Sequence, residues 1–110
     1  MGIEEKAREL AEVILDSEIY NRYLQAREFM IENPELFAKV NEYRKRNFYI
    51  QNSPDINKPE ELRKLLEEFD SIINNKSVRE YLDSELILCR TMKKVNNILV
   101  EQIDLDIDFL

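Results

Sequence analysis

The sequence contains no histidine, no tryptophan, a single cysteine at position 89 and a single glycine at position 2. Each absence removes a class of chemistry. Without histidine there is no Ser-His-Asp or Cys-His nucleophile system and no imidazole metal site. One cysteine cannot supply a tetrathiolate zinc or iron–sulfur centre within one chain. With no glycine after Gly2, neither the P-loop nor the dinucleotide-binding fingerprint can be written. Most enzyme classes are excluded on these grounds, and the residues call for no catalytic group, no metal and no cofactor.

Hydrophobic runs are also short. No stretch approaches the ~20 apolar residues of a membrane span, and the segment from Met1 to Glu12 is charged throughout, unlike a signal peptide. With one Cys and hence no intrachain disulfide, these features point to the cytoplasm. The 110 residues carry 16 Lys+Arg against 23 Asp+Glu, a formal charge of −7. That balance argues against direct binding to DNA, which requires a basic face. At 44% hydrophobic the chain is an ordinary globular one and long enough to bury a core.

Apolar residues recur with helical spacing. Ile3, Ala7, Leu10 and Ile14 lie on one face, and Ile19, Tyr23, Ala26 and Met30 take up a new register after Asp16-Ser17, where a break is expected. Asn33-Pro34-Glu35 reads as a helix start with a capping Asn. The third helix turns Leu36, Val40, Tyr43 and Ile50 inward, with Phe37 and Phe48 beside them, and ends in a loop at Gln51–Asp55. Lys58-Pro59-Glu60-Glu61 opens a fourth helix with a stripe of Leu62, Leu65, Leu66, Phe69, Ile72 and Ile73. Asn74-Asn75 suits its end through the left-handed conformation.

Ser77-Val78-Arg79-Glu80 reads as a capping box. That local role makes the glycosylation pattern Asn75-Lys76-Ser77 a coincidence. The helix it opens runs from Val78 to about Ile103. One stripe holds Val78, Tyr81, Leu88, Met92, Val95 and Leu99, interrupted by Glu85. A second stripe holds Leu82, Leu86, Cys89, Val100 and Ile103, with Asn96 near the helix centre. Glu85 and Asn96 read as the edges of the apolar face, or as register-setting polar groups at an interface. A helix apolar over that width must touch more than one neighbour. Leu88, Met92, Val95 and Leu99 are therefore expected to be buried, partly across a self-association interface.

Three further features bear on function. Arg44-Lys45-Arg46, flanked by Tyr43, Phe48 and Tyr49, is the one basic and aromatic cluster. Consecutive helical residues point apart, so its first reading is structural. A partner-binding surface of Tyr43, Arg44, Lys45, Arg46 and Tyr49 is the second, and RNA contact through the three bases the third. Cys89 reads as a small core hydrophobe, with a ligand or redox-sensitive thiol as the alternative. The end of the chain, residues 104–110, alternates apolar residues with Asp104, Asp106 and Asp108, which suits an extended segment. It either docks Ile107, Phe109 and Leu110 on a partner or stays free as a solubilising end, the second being usual for termini.

Residues Ala7-Arg8-Glu9-Leu10-Ala11-Glu12-Val13-Ile14 and Ser17-Glu18-Ile19-Tyr20-Asn21-Arg22-Tyr23-Leu24-Gln25-Ala26 resemble the opening of the YlbF/YmcA family. The Asn33-Pro34-Glu35 start, the Leu-rich helix ending in Asn and the Val78-Arg79-Glu80-Tyr81-Leu82 opening of a long last helix follow in the same order. The resemblance implies a small all-helical bacterial protein that self-associates, frequently as a dimer. It implies a regulator of competence, sporulation and biofilm formation, acting in a complex that influences mRNA processing by a membrane-anchored endoribonuclease. Some members bind iron–sulfur clusters and carry a Cys-rich tail, whereas residues 104–110 here contain no Cys. The expected architecture is thus all-α: about five helices in an antiparallel array over residues 1–103, then an acidic tail at 104–110. Its function is expected to be that of a non-enzymatic adaptor, with an RNA-contacting module or a multi-chain iron–sulfur switch built on Cys89 as rivals.

Overall fold

A computed structural model describes residues 2–103, and every described element is helical: α1 (Ile3–Leu15), α2 (Glu18–Glu32), α3 (Pro34–Gln51), α4 (Lys58–Glu68), α5 (Asp70–Ile73) and α6 (Lys76–Glu101). The fold is all-α, as the periodicity requires. The readings made on residues 104–110 lie outside the described residues.

The helix boundaries are set by local hydrogen bonds. The break after α1 falls at Asp16-Ser17, where Ser17 Oγ donates to the Ile14 carbonyl at 2.6 Å and accepts from the Tyr20 N–H at 3.2 Å. One hydroxyl thus closes α1 and caps α2. At α4 the cap is Asn57, whose Oδ1 accepts from the Glu60 N–H, ahead of Pro59 in the first turn.

Three local expectations need correction. Asn33 stands at the N-cap position of α3, but its Nδ2 donates to the Phe29 carbonyl at 2.8 Å and closes α2 instead. Its amide is turned toward the orphan carbonyls that end α2, and no N–H at the start of α3 is capped by its side chain. The long helix begins at Lys76 and is capped by Asn75, not Ser77: Asn75 Oδ1 accepts from Ser77 N–H at 2.9 Å and Val78 N–H at 3.2 Å. Among the described residues none adopts positive φ. Asn74 ends α5 in a right-handed conformation, its Nδ2 bonded to the Asp70 carbonyl.

The fourth predicted helix is two. It closes at Phe69 and restarts for one turn at Asp70, with the Phe69 carbonyl accepting from Ile72 and Ile73. Glu67 and Glu68 stand in the last turn of α4, which holds no base, and Asp70 in the first turn of α5. The junction thus gives Asp70 the favourable place at a helix N-terminus and leaves Glu67 and Glu68 at the unfavourable C-terminal end of α4.

Two compact units divide the chain, 24–82 and the pair of segments 1–23 with 83–110. In the 24–82 unit α3 packs on α4 and α5. Ile50, Leu65 and Phe69 form a buried cluster that Tyr43, Ile56, Leu62, Ile72 and Ile73 surround. Ala26, Met30, Val40, Val78 and Tyr81 are buried in the same unit, with the Tyr81 ring edge-on to Phe37 at 5.7 Å. Phe48 and Leu66, expected on the inward faces, are exposed. Burying a side chain such as Leu65 contributes roughly 1.5–3 kcal/mol each.

The other unit is built differently. Its one buried described residue is Ser84, and none of its described apolar side chains is buried. No residue of α1 is buried at all, and Ile3, Val13 and Leu15 stand well into solvent.

Candidate functional site

The basic cluster of α3 does not form one patch. Tyr43 is half-buried against Phe69, ring centroids 5.7 Å apart. Arg44 is half-buried too: its guanidinium lies 5.7 Å from the Tyr81 ring centroid, and Nη1 donates to Asn41 Oδ1 at 3.2 Å and Tyr81 Oη at 3.4 Å. Arg46 turns the other way, over the Phe69 ring at 5.4 Å, and pairs with Glu68 at 2.5 Å. Lys45 alone of the three bases faces outward, with Tyr49 one turn on. The step of about 100° per residue along a helix produces this separation.

Sequence reasoning missed Phe48, which is 70% exposed. Its spacing of three from Lys45 was the available signal, because residues three and four apart share a face. Lys45, Phe48 and Tyr49 therefore form the outward part of the cluster.

The second candidate surface is the later half of α6. Leu88 and Val95 are half-buried, while Met92 and Leu99 are exposed. Beside them Leu86, Val100 and Ile103 are also exposed, as is Ile98, which belonged to neither predicted stripe. Cys89 is exposed rather than a core residue, as are Leu86, Val100 and Ile103 of the same stripe. Glu85 is half-buried and Asn96 exposed.

A small cleft of about 200 Å³ lies between Glu18, Ile19 and Arg22 of α2 and Ser84 and Ile87 of α6. Arg22 and Ser84 already have partners within the chain. Two of its polar lining residues are thus already engaged.

Most of the chain, residues 3–104, matches the family model described as control of competence regulator ComK, YlbF/YmcA. The chain belongs to the YlbF/YmcA family. Among curated proteins it is similar to a UPF0342 protein of Desulfitobacterium hafniense (strain Y51), 29% identical over 109 residues that cover 94% of this chain and 86% of the relative. No solved structure matches it.

The family resemblance raised an iron–sulfur cluster, and the described residues of a single YlbF/YmcA chain do not gather the ligands for one. Cys89 stands alone, and no group of three or more potential ligands gathers among the described residues. No described helix is long and apolar enough to cross a membrane. What this YlbF/YmcA protein does present is apolar surface on α1 and α6 and a basic and aromatic edge on α3.

Proposed function

We propose that the protein is a non-enzymatic regulatory adaptor that acts through protein–protein contacts. It self-associates through α6, with Leu88, Met92, Val95 and Leu99 at the interface. The observation that carries this reading is the 1–23 and 83–110 unit, which holds helices with apolar faces but no buried apolar side chain among its described residues. Such faces normally mark an interaction surface. The family supports the regulatory half: competence control is the description under which its members are grouped. In this reading the protein works in the cytoplasm, in a complex that modulates mRNA processing by an endoribonuclease. The α3 surface of Tyr43, Arg44, Lys45, Arg46 and Tyr49 contacts the partner, Lys45 and Tyr49 reaching outward beside Phe48.

Size-exclusion chromatography with light scattering tests the self-association. The wild-type protein is expected at twice the 13.2 kDa of the chain. Met92 is exposed in the single chain, so Met92→Asp should keep the wild-type circular dichroism and run at half the mass. A folded variant with unchanged mass removes Met92 from the interface. For the partner surface, Lys45→Glu with Tyr49→Ala should abolish a two-hybrid signal with the endoribonuclease complex while leaving the mass unchanged.

A further inference from the structure

Residues 43–54 and 86–100 are the two longest stretches of the chain without an acid, and each carries three bases. Helical spacing treats the two sets differently. Arg44, Lys45 and Arg46 are consecutive and diverge, the outer two lying against the rings of Tyr81 and Phe69. Arg90, Lys93 and Lys94 stand at i, i+3 and i+4 and converge within an arc of about 100° on α6. Asn97, at i+7, continues their line. All four are exposed. Asp83 and Glu101 bound this face at its two ends, and half-buried Glu85 lies off it, on the other side of the helix. Elsewhere bases meet acids: Lys6 pairs with Glu9, Arg8 with Glu4, Arg46 with Glu68, Arg63 with Glu60 and Glu67, and Lys64 with Glu61. None of Arg90, Lys93 and Lys94 forms an ion pair with a described residue. The net charge of −7 thus conceals one face of uncompensated positive charge.

We propose that this face docks RNA by the phosphate backbone of a paired stem. Arginine, lysine and asparagine are ordinary donors to phosphate oxygens. Charge density favours a nucleic acid over an acidic protein. Arg90 and Lys94 rise only about 6 Å along the axis with Lys93 between them, and a double helix, carrying one charge per ~1.7 Å of its own axis, matches such a cluster. Along one line of a protein helix, carboxylates come only once per turn, about every 5.4 Å. Leu86 is the one apolar side chain within the arc, so the apolar centre around which a protein interface is built is missing. No aromatic shares the arc either, so nothing there stacks the bases of a single strand. A stem, whose bases are already stacked, needs only its phosphates held. The choice of RNA over DNA rests on the endoribonuclease reading above, whereas the phosphate contact does not. Leu88, Met92, Val95 and Leu99 lie on the opposite side of α6, so self-association leaves the basic face open.

A fluorescently labelled RNA hairpin is titrated with the full-length protein, and binding is read by anisotropy. Three phosphate contacts should weaken binding roughly 20–40-fold when salt rises fourfold. R90Q/K93Q/K94Q should lose affinity by at least about tenfold. R27Q/K39Q/K58Q removes the same charge from exposed positions on α2, α3 and α4, and should stay within about twofold of wild type. Circular dichroism and light scattering verify that both variants keep the wild-type helicity and mass.

Absence of binding by wild type at low salt overturns the proposal. Equal losses in the two triple variants overturn it too, because binding would then follow net charge rather than this face. Polyglutamate that displaces the hairpin as well as unlabelled RNA of equal charge assigns the face to an acidic protein instead. A DNA hairpin of the same sequence that outcompetes the RNA overturns the choice of RNA. Met92→Asp should bind the hairpin as wild type does per chain, whatever its mass, so a failed self-association and a failed RNA face are read separately.

Discussion

Arg46 on α3 and Glu68 on α4 pair at 2.5 Å, and the same guanidinium lies 5.4 Å from the centroid of Phe69, the residue that closes α4. One side chain thus spans from a surface acid to the ring at the helix junction. Both charged groups are about half exposed, which limits the ion pair to roughly 0–1 kcal/mol, with a further ~0.5–1 kcal/mol from the cation over the ring. Arg46→Ala should therefore lower stability by about 1 kcal/mol, read as a fall in the urea midpoint. Arg46→Lys should recover part of it. Lys45→Ala, at an exposed neighbouring position, should leave the midpoint where it is.

That contrast shows how far the sequence can be read. The triplet Arg44-Lys45-Arg46 was visible as charge, and helical geometry already implied that its members diverge. The aromatic surfaces that receive the two arginines were not visible, because Tyr81 and Phe69 lie far along the chain. Helix type, the Ser17 break and the inward face of α3 at Val40 and Ile50 were legible from spacing alone. The caps at Asn33 and Asn75 were not. Asn, Ser and Pro mark a boundary, but which side of it a side chain serves depends on which backbone groups are left unbonded there. The exposure of Cys89 was illegible for a different reason: a stripe states that a face is apolar and is silent on what covers it.

The cap assignment gives a direct comparison. Asn75 Oδ1 satisfies two N–H groups of the first turn of α6, so Asn75→Ala should cost about 1 kcal/mol. Ser77 lies inside the helix, and Ser77→Ala should be near neutral or slightly stabilising, since alanine is the better helix former. Thermal unfolding of the two variants decides the matter. The reverse ranking would return the cap to Ser77.

Glu60 titrates below the ordinary glutamate range. The Arg63 hydrogen bond is the main cause, partial desolvation opposes it, and the charge of Lys64 assists. Reciprocally, Arg63 is held above its ordinary value, first by Glu60 and then by Glu67. A carboxylate lowered in the folded state contributes stability that is present above the unfolded value and lost as pH falls through the folded one. Stability should thus decline as pH drops from the ordinary glutamate range downward. A carboxyl-carbon NMR titration should place Glu60 below a solvent-exposed glutamate, and Arg63→Gln should move its midpoint up. An unchanged midpoint would mean that the contact does not persist in solution.

Leu65 and Leu66 separate stripe from core most sharply. The sequence places both on the apolar face of one helix, and consecutive residues of a helix cannot both point at the same neighbour. Leu65 is 1% exposed between Ile50 and Phe69, whereas Leu66 is 49% exposed. Leu65→Ala removes packed methyl groups and leaves a cavity, and should cost about 2–5 kcal/mol. Leu66→Ala gives up a side chain already half in water, and should change stability by roughly 0.5 kcal/mol or less. Urea unfolding of both variants, with unchanged m-values, would establish that the core sits where α3 meets the α4–α5 junction. Equal losses would place Leu66 under a cover that the single chain does not provide, and its exposed face would then join those of α1 and α6 as interaction surface.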